Sequence, residues 1–356
     1  MKIQADRREL LDALTAACKA VPGRTTIPIL NNALLRADGE TLTCAGTDLS
    51  IAITASLAAT GEPGETTVGA NLLRGVIRAA ADGPVTLESG DDALSVTCSG
   101  RHYALNTIPA EDFPQPDISE FNHEFETDLG GLCAPVKYAM SHEETRPDLC
   151  GVFLHEHEGG LRAIATNGHE LAYRDCDLPG GAEGMPGIII PSDMIGKLQA
   201  GRSTVQLSDR AIRVVNEAAT ITSKLIDGTF PDYARLLPDH TVKAIVERET
   251  AIGAAQALSL VANDQARCIK LSFSGGKLEM EARGDARDKG VETLDCDYSG
   301  DDIAFGLNAR YLVDTLSAFD CERICIGMTN PGSPPSFTDP DDTNRYALIM
   351  PMRAGF

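Results

Sequence analysis

Tryptophan is absent, and aromatic residues make up only 5% of the 356 residues. A chain this poor in rings is a weak candidate for stacking on exposed bases. Positive charge is short as well. Lys and Arg total 31 against 52 Asp and Glu, a net charge of −21, which excludes bulk electrostatic capture of nucleic acid or anionic lipid. No apolar run approaches the ~20 residues of a membrane span, and Met1-Lys2-Ile3-Gln4-Ala5-Asp6 opens no apolar leader. A soluble, cytoplasmic chain without a membrane partner is expected. The 10 cysteines are scattered, and the nearest pair, Cys321 and Cys325, has no His at ligand spacing. Free buried thiols in a reducing compartment are expected, with no metal centre.

Catalytic signatures are missing too. There is no G-x4-G-K-[ST] phosphate loop, no G-x-S-x-G elbow, and no second His at H-E-x-x-H spacing after His169-Glu170. His155-Glu156-His157 places two imidazoles on one strand face, a spacing open to a metal, although an exposed face near a turn is the commoner meaning. Asp91-Asp92, Asp301-Asp302 and Asp341-Asp342 read as turn residues. No cofactor and no enzymatic activity are expected.

What is present is ordinary globular material, 43% hydrophobic and 23% charged, in a length suited to two or three domains. Its main feature is an internal repeat. Each of three units opens with an amphipathic pattern: Leu10, Leu11, Leu14, Ala17, Cys18 and Val21; then Leu129, Leu132, Cys133, Val136 and Met140; then Ile252, Ala255, Leu258 and Val261-Ala262. A hairpin follows, clearest where Leu161–Thr166 meets Asn167-Gly168, a pair suited to a type I′ turn. Its counterparts are residues 42–51 and 278–285. A second helix is expected over 70–80, 192–199 and 308–319, and alternating strands close each unit. The spacing from Ala45 to Ala165 is 120 residues, and from Ala165 to Ala282 it is 117. An α+β class follows, with helices on one face of antiparallel sheet.

Several segments in this order resemble one family: Gly23-Arg24 leading into Ile27-Pro28-Ile29-Leu30-Asn31-Asn32, the hairpin Gly46-Thr47-Asp48-Leu49, the linker Ile108-Pro109-Ala110-Glu111-Asp112-Phe113-Pro114, the hairpin Ala165-Thr166-Asn167-Gly168-His169-Glu170-Leu171-Ala172, the segment from Ser223 through Phe230-Pro231-Asp232-Tyr233, and the ending Ile349-Met350-Pro351-Met352-Arg353. The chain is similar to the bacterial DNA polymerase III β subunits, the sliding clamps. The resemblance implies three similar clamp domains, at 1–118, 119–238 and 239–356. It also implies a closed head-to-tail dimeric ring with helices inside and antiparallel sheets outside. Duplex DNA would thread the ring and be held by topology, a role that tolerates an acidic chain. The implied partners are duplex DNA, the polymerase III catalytic subunit, the clamp loader, other proteins carrying clamp-binding peptides, and a second copy of the chain.

The resemblance also implies sites. A pocket for hydrophobic peptides falls on Arg146, Leu149, Thr166, Gly168, His169, Leu171, Pro231, Arg235, Leu236, Asn308, Tyr311, Leu348, Met350, Pro351, Met352 and Arg353. Leu, Met and Pro suit an adaptable apolar cleft; by composition alone, the C-terminal Leu-Ile-Met-Pro-Met strand reads first as core, and the resemblance reverses that. Glu170 stands where the family commonly has Arg and is expected to reverse a charge at the pocket rim. The dimer contact falls on Tyr103 and Leu105 with Leu260 and Val261, positions that ordinary packing within a domain would also explain. DNA contacts fall on Arg24, Arg74, Arg78, His142, Lys197 and Arg202, each also readable as a solvated surface cation. Here the chain departs from the family, with Glu143 for a frequent Gln, Pro147-Asp148 for an aromatic pair, and Asn71-Leu72 where bases are common. Residues 126–144 carry one Lys against four acids. The alternatives are a clamp paralogue with weakened DNA contacts, and an enzyme on a triplicated α+β scaffold with its active site around His169.

Overall fold

The computed structural model describes residues 1–115, 120–263, 267–284 and 288–353. The expected domain boundary at 118/119, Asp285 at the end of the third hairpin and the tail Ala354-Gly355-Phe356 lie outside the described residues. The chain forms two compact units. One holds residues 1–128, 180–182 and 196–225; the other holds 129–179, 183–195 and 226–356. Each unit is built on one 12-stranded sheet, and the described pairings are antiparallel. The middle sequence repeat is shared: its strands His123–Thr127, Ser203–Leu207, Ala211–Val215 and Thr220–Lys224 belong to the first unit, while Gly151–His157, Gly160–Thr166, Glu170–Asp177 and Ile188–Pro191 belong to the second.

In the first unit, helix α1 (Arg7–Cys18) starts at Asp6, whose carboxylate accepts from the backbone N–H groups of Arg8 and Glu9. Its apolar stripe buries Leu10, Ala13, Leu14, Ala17 and Cys18. Strand Ile51–Glu62 presents Ile51, Ile53, Ala55, Leu57 and Ala59 inward at alternate positions, and α1 packs on it. Helix α2 (Ala70–Ala79) buries Ala70, Leu73 and Ile77 and leaves Leu72 exposed.

The second unit holds α3 (Leu129–Cys133), α4 (Ser192–Ile195), α5 (Arg248–Ser259) and α6 (Ala309–Ala318). The stripe ending at Met140 predicts a longer α3. Gly130 and Gly131 are poor helix formers, and Pro135 lacks the N–H needed to continue, so the chain turns and resumes as a 3-10 turn, Lys137–Ala139. Leu129, Leu132, Cys133, Val136 and Met140 are buried all the same; the pattern reported burial, not helix length. Helix α4 also stops short of the expected 199, at Ile195, just before Gly196. Among the described residues no helix is long and apolar enough to cross a membrane.

The two complete hairpin turns repeat bond for bond. In the first unit the Thr47 hydroxyl donates to the Ile51 carbonyl (2.8 Å), the Leu49 N–H donates to Thr47 Oγ1 (3.1 Å), and Asp48 Oδ1 accepts from the Ser50 and Ile51 amides. In the second, Thr166 donates to the Glu170 carbonyl (2.6 Å), Gly168 N–H to Thr166 Oγ1 (3.1 Å), and Asn167 Oδ1 accepts from His169 and Glu170. Only Gly168 (φ 87°) has positive φ in that turn. The turn is therefore side-chain-capped by Asn and Thr, not the expected type I′. Leu49 (φ 80°) occupies the equivalent left-handed position without being glycine.

A Cβ on Gly46 would run into the Ala17 carbonyl oxygen, whereas one on Gly75, within α2, would meet nothing within 4 Å. Gly46→Ala is expected to destabilise the fold by ~1–3 kcal/mol, and Gly75→Ala to stabilise it by ~0.5–1 kcal/mol. Urea midpoints of the two variants, moving in opposite directions, check this.

Candidate peptide cleft and basic positions

The candidate cleft lies wholly in the second unit. Its floor comes from alternation on paired strands. Glu170–Asp177 pairs with Arg345–Ile349 in the register Leu171–Leu348 and Tyr173–Tyr346, so these four side chains share one face. Leu149, Ile164, Leu171, Ile189, Phe230, Tyr233 and Leu348 form a buried cluster there, flanked by Phe153, Tyr173, Ile226, Leu237 and Tyr346. Of the expected pocket residues, Leu149, Leu171 and Leu348 are thus closed from solvent.

The remaining expected residues surround this floor. Gly168 and His169 are exposed at the turn tip, and a Cβ on Gly168 would sit 3.5 Å from Arg146 Nη1. The His169 ring stacks on Tyr311 (centroids 5.9 Å, 15° between planes). Asn308 holds Tyr311 in place by capping α6, accepting from the Arg310 N–H at 2.9 Å and the Tyr311 N–H at 3.4 Å. The C-terminal segment is tied to the same turn: Met350 N–H donates to the His169 carbonyl (2.7 Å), and Met352 N–H to the Gly306 carbonyl (2.8 Å). Met350 and Leu236 are large exposed apolar side chains, at 38% and 44%. Pro231 and Pro351 are half-buried, Arg353 is exposed, and Arg235 pairs with Asp232 at 2.7 Å. An apolar floor beneath exposed Leu, Met, His and Arg is a surface that suits an apolar peptide.

Glu170 corrects an expectation. It is 2% exposed, not a rim charge, because the alternation that sends Leu171 to the floor sends Glu170 to the opposite face, against α6. Its Oε1 accepts from Asn167 Nδ2 (2.9 Å), while Oε2 has no hydrogen-bond partner. Burial pushes its carboxyl up to about 8 against the pull of the Asn167 bond; Asp314 raises it further and Arg310 lowers it.

Sequence reasoning missed a polar-aromatic network beside the floor. The Arg162 guanidinium makes two 2.6 Å bonds to Asp175 and lies 3.7 Å from the Tyr173 ring centroid. His155 Nε2 meets the Tyr233 hydroxyl at 3.0 Å, and Phe153 stacks on Phe230 at 4.9 Å. The Phe230-Pro231-Asp232-Tyr233 segment was a visible signal, but its partners are distant in sequence. His155 is held below its usual range by burial, opposed by its backbone bond at Glu156. Among the described residues no cluster of three or more His, Cys, Asp or Glu side chains is placed to hold a metal.

The basic positions are dispersed. Arg24 and Arg78 are exposed. Arg74 donates to Asn71 Oδ1 at 2.8 Å, and Lys197 is half-buried. Arg202 is paired with Glu126, which compensates its charge. His142 is exposed beside exposed Glu143 and Glu144. Of the expected dimer residues, Leu260 is 87% exposed, Val261 and Tyr103 are half-buried, and Leu105 belongs to the core of the first unit at 7%.

Comparison with known proteins accounts for the repeat. The N-terminal, central and C-terminal domains of the DNA polymerase III beta subunit match residues 1–117, 127–232 and 234–353. A beta sliding clamp of Caulobacter vibrioides is 34% identical, over 99% of this chain and 100% of the relative. A crystal structure of the Pseudomonas aeruginosa DNA polymerase sliding clamp with ligand superposes with a TM-score of 0.95 at 28% identity, covering 99% of this chain and 100% of that one. A sliding clamp from Bartonella birtlesii bound to griselimycin gives a TM-score of 0.95 at 31% identity, with the same coverage. The fold is the three-domain clamp fold, and the chain belongs to the DNA polymerase III beta subunit family, the bacterial sliding clamps.

Proposed function

We propose that this chain is a non-catalytic processivity clamp, which encircles duplex DNA and tethers the replicative polymerase. Its domains are 1–118, 119–238 and 239–356, and its ring is a head-to-tail dimer with helices facing the hole and sheets facing out. One observation supports the ring: among the described residues, the last strand of the first repeat and the hairpin strand of the third lack, over most of their length, the partner that their counterparts in the other repeats have. The last strand of the second repeat, Thr220–Lys224, pairs with the first hairpin strand, Ile51–Glu62. The last strand of the third, Arg345–Ile349, pairs with the second hairpin strand, Glu170–Asp177.

The last strand of the first repeat, Arg101–Ile108, has only residues 107 and 108 on Gly64–Gly69; among the described residues its 101–106 stretch pairs on one side alone. The third hairpin strand, Lys289–Asp297, likewise meets Val242–Glu247 only at residues 296 and 297, which leaves 289–295 open on that side among the described residues. Open edges seek strands. Each chain brings one edge of each kind, so two copies can pair them reciprocally and close a ring. Tyr103 sits on the first edge. Val261 lies beside the second, since a Cβ on Gly290 would be 3.6 Å from Val261 Cγ2, and Leu260 stands exposed next to it.

The second-unit cleft serves as the docking point for apolar peptides of the polymerase catalytic subunit, the clamp loader and other partners. Griselimycin, bound in the Bartonella birtlesii relative, is a suitable probe. The net charge of −21 fits retention by topology, since a ring needs little affinity for phosphate. A second reading, a paralogue with weakened DNA contact, is favoured by the Arg202–Glu126 pair and the acids beside His142.

Light scattering should give twice the chain mass, and loaded protein should stay on nicked circular DNA and slide off linear DNA; a monomer on both overturns the ring. Leu260→Asp should shift the dimer to monomer by placing a charge in an apolar contact; an unchanged mass refutes the assigned interface. Truncation before Met350 should weaken griselimycin binding by at least about tenfold, ~1.4 kcal/mol, with circular dichroism confirming the fold. Undiminished affinity moves the cleft elsewhere.

A further inference from the structure

The Glu170 side chain is not used by the cleft as described, yet it is buried on the other side of the same strand. Its carboxyl meets one neutral donor, Asn167 Nδ2. Among the described residues Glu170 Oε2 has no hydrogen-bond partner, while Tyr138 Oη and Thr315 Oγ1, also buried, have each other as the nearest side-chain partner. The groups that bear on Glu170 are Arg310, Tyr311 and Asp314 from α6, and Tyr138 from the 3-10 turn, which itself interacts with Thr315. Arg345, from the neighbouring strand, bears on Tyr138 and is drawn to Asp320. Among the described residues the cation that bears on Glu170, Arg310, pairs with Asp314 at 3.4 Å. No ion pair reaches Glu170 among the described residues. A buried carboxyl without a cation is tolerated only as the neutral acid.

The bonds of the turn pass through this residue. Glu170 holds Asn167, and Asn167 Oδ1 holds the amides of His169 and Glu170. The His169 carbonyl in turn receives Met350 N–H. His169 and Met350 are exposed groups of the cleft. We propose that Glu170 is a positioning residue of the peptide cleft, locking the 166–170 turn and, through it, His169 and Met350, only while it carries its proton. This rests on the cleft reading above. Loss of the proton puts a charge against Asp314 with no paired cation. The turn must then open to hydrate it, and the geometry of His169 and Met350 is lost.

The sign of the linkage follows. The carboxyl titrates at about 8 in the fold and at ~4.3 when unfolded. Its contribution to stability is therefore complete below ~4.3 and lost as pH rises through about 8. Calorimetric titration of griselimycin into the intact protein at pH 7, 8 and 9, for wild type and Glu170→Gln, tests the proposal. Gln keeps the acceptor for Asn167 and cannot ionise. Wild-type affinity should weaken on the order of tenfold from pH 7 to 9, as the competent fraction falls. Glu170→Gln should match wild type at pH 7 and change by less than about twofold. Thermal melts without ligand should show the variant gaining on wild type between pH 5 and 9. Parallel binding profiles, or a constant difference in melting temperature, overturn the proposal while leaving the cleft intact. Failure of both proteins to bind at pH 7 overturns the cleft reading and the proposal with it.

Discussion

Antiparallel backbone pairing between the last strand of one repeat and the hairpin strand of the repeat before it is the interaction on which the molecule depends. It joins Thr220–Lys224 to Ile51–Glu62, and Arg345–Ile349 to Glu170–Asp177. Each bond adds only ~0.5–1.5 kcal/mol, but an unpaired buried strand edge is costly, so the pairing dictates how repeats follow one another. Main-chain bonds need no particular side chains. This is the physical reason that three repeats with weak mutual identity keep one architecture, and that the middle repeat is divided between two sheets. The same rule applied to the edges at 101–106 and 289–295 is what the proposed dimer rests on.

The pairing also sets the cleft. One register decides that Leu171 and Leu348 face the floor and that Glu170 faces the helices; a slip of one residue would exchange them. The turn preceding Glu170 is built by side-chain caps that the first repeat reproduces with Thr47 and Asp48. Where the second repeat uses Gly168, the first tolerates Leu49 at φ 80°, a conformation that costs ~1 kcal/mol or more for an L residue. The capping bonds around Leu49 are what hold it there.

Much of the fold was legible in residue order. The alternating strands expected to close each unit are present, among them Pro84–Ser89, Ser203–Leu207 and Arg323–Met328, and the Leu10–Cys18 stripe located α1. The stripe through Val136 and Met140 misled on helix length, because periodicity records which side chains are buried while Pro135 governs the backbone. The candidate cleft was suggested only by family likeness. Its parts lie at 146–149, 166–171, 231–236, 308–311 and 348–353, and no local pattern links such distant segments. Glu170 was misread because the rim position was carried over from the family's Arg, whereas in this fold its side chain is buried on the far side of the strand from Leu171.

By itself the sequence determined the α+β class, the period of the repeat, the strand and helix order, and an acidity unsuited to holding DNA by charge. These follow from local propensity, alternation and composition, which act over a few residues or over the whole chain at once. The tertiary structure alone decided which strands share a sheet, which leucines are closed under the cleft, which arginine is neutralised by Glu126, and which carboxyl is kept from water. Each of those depends on residues brought together from far apart in the chain, where long-range register and burial, not local preference, set the energy.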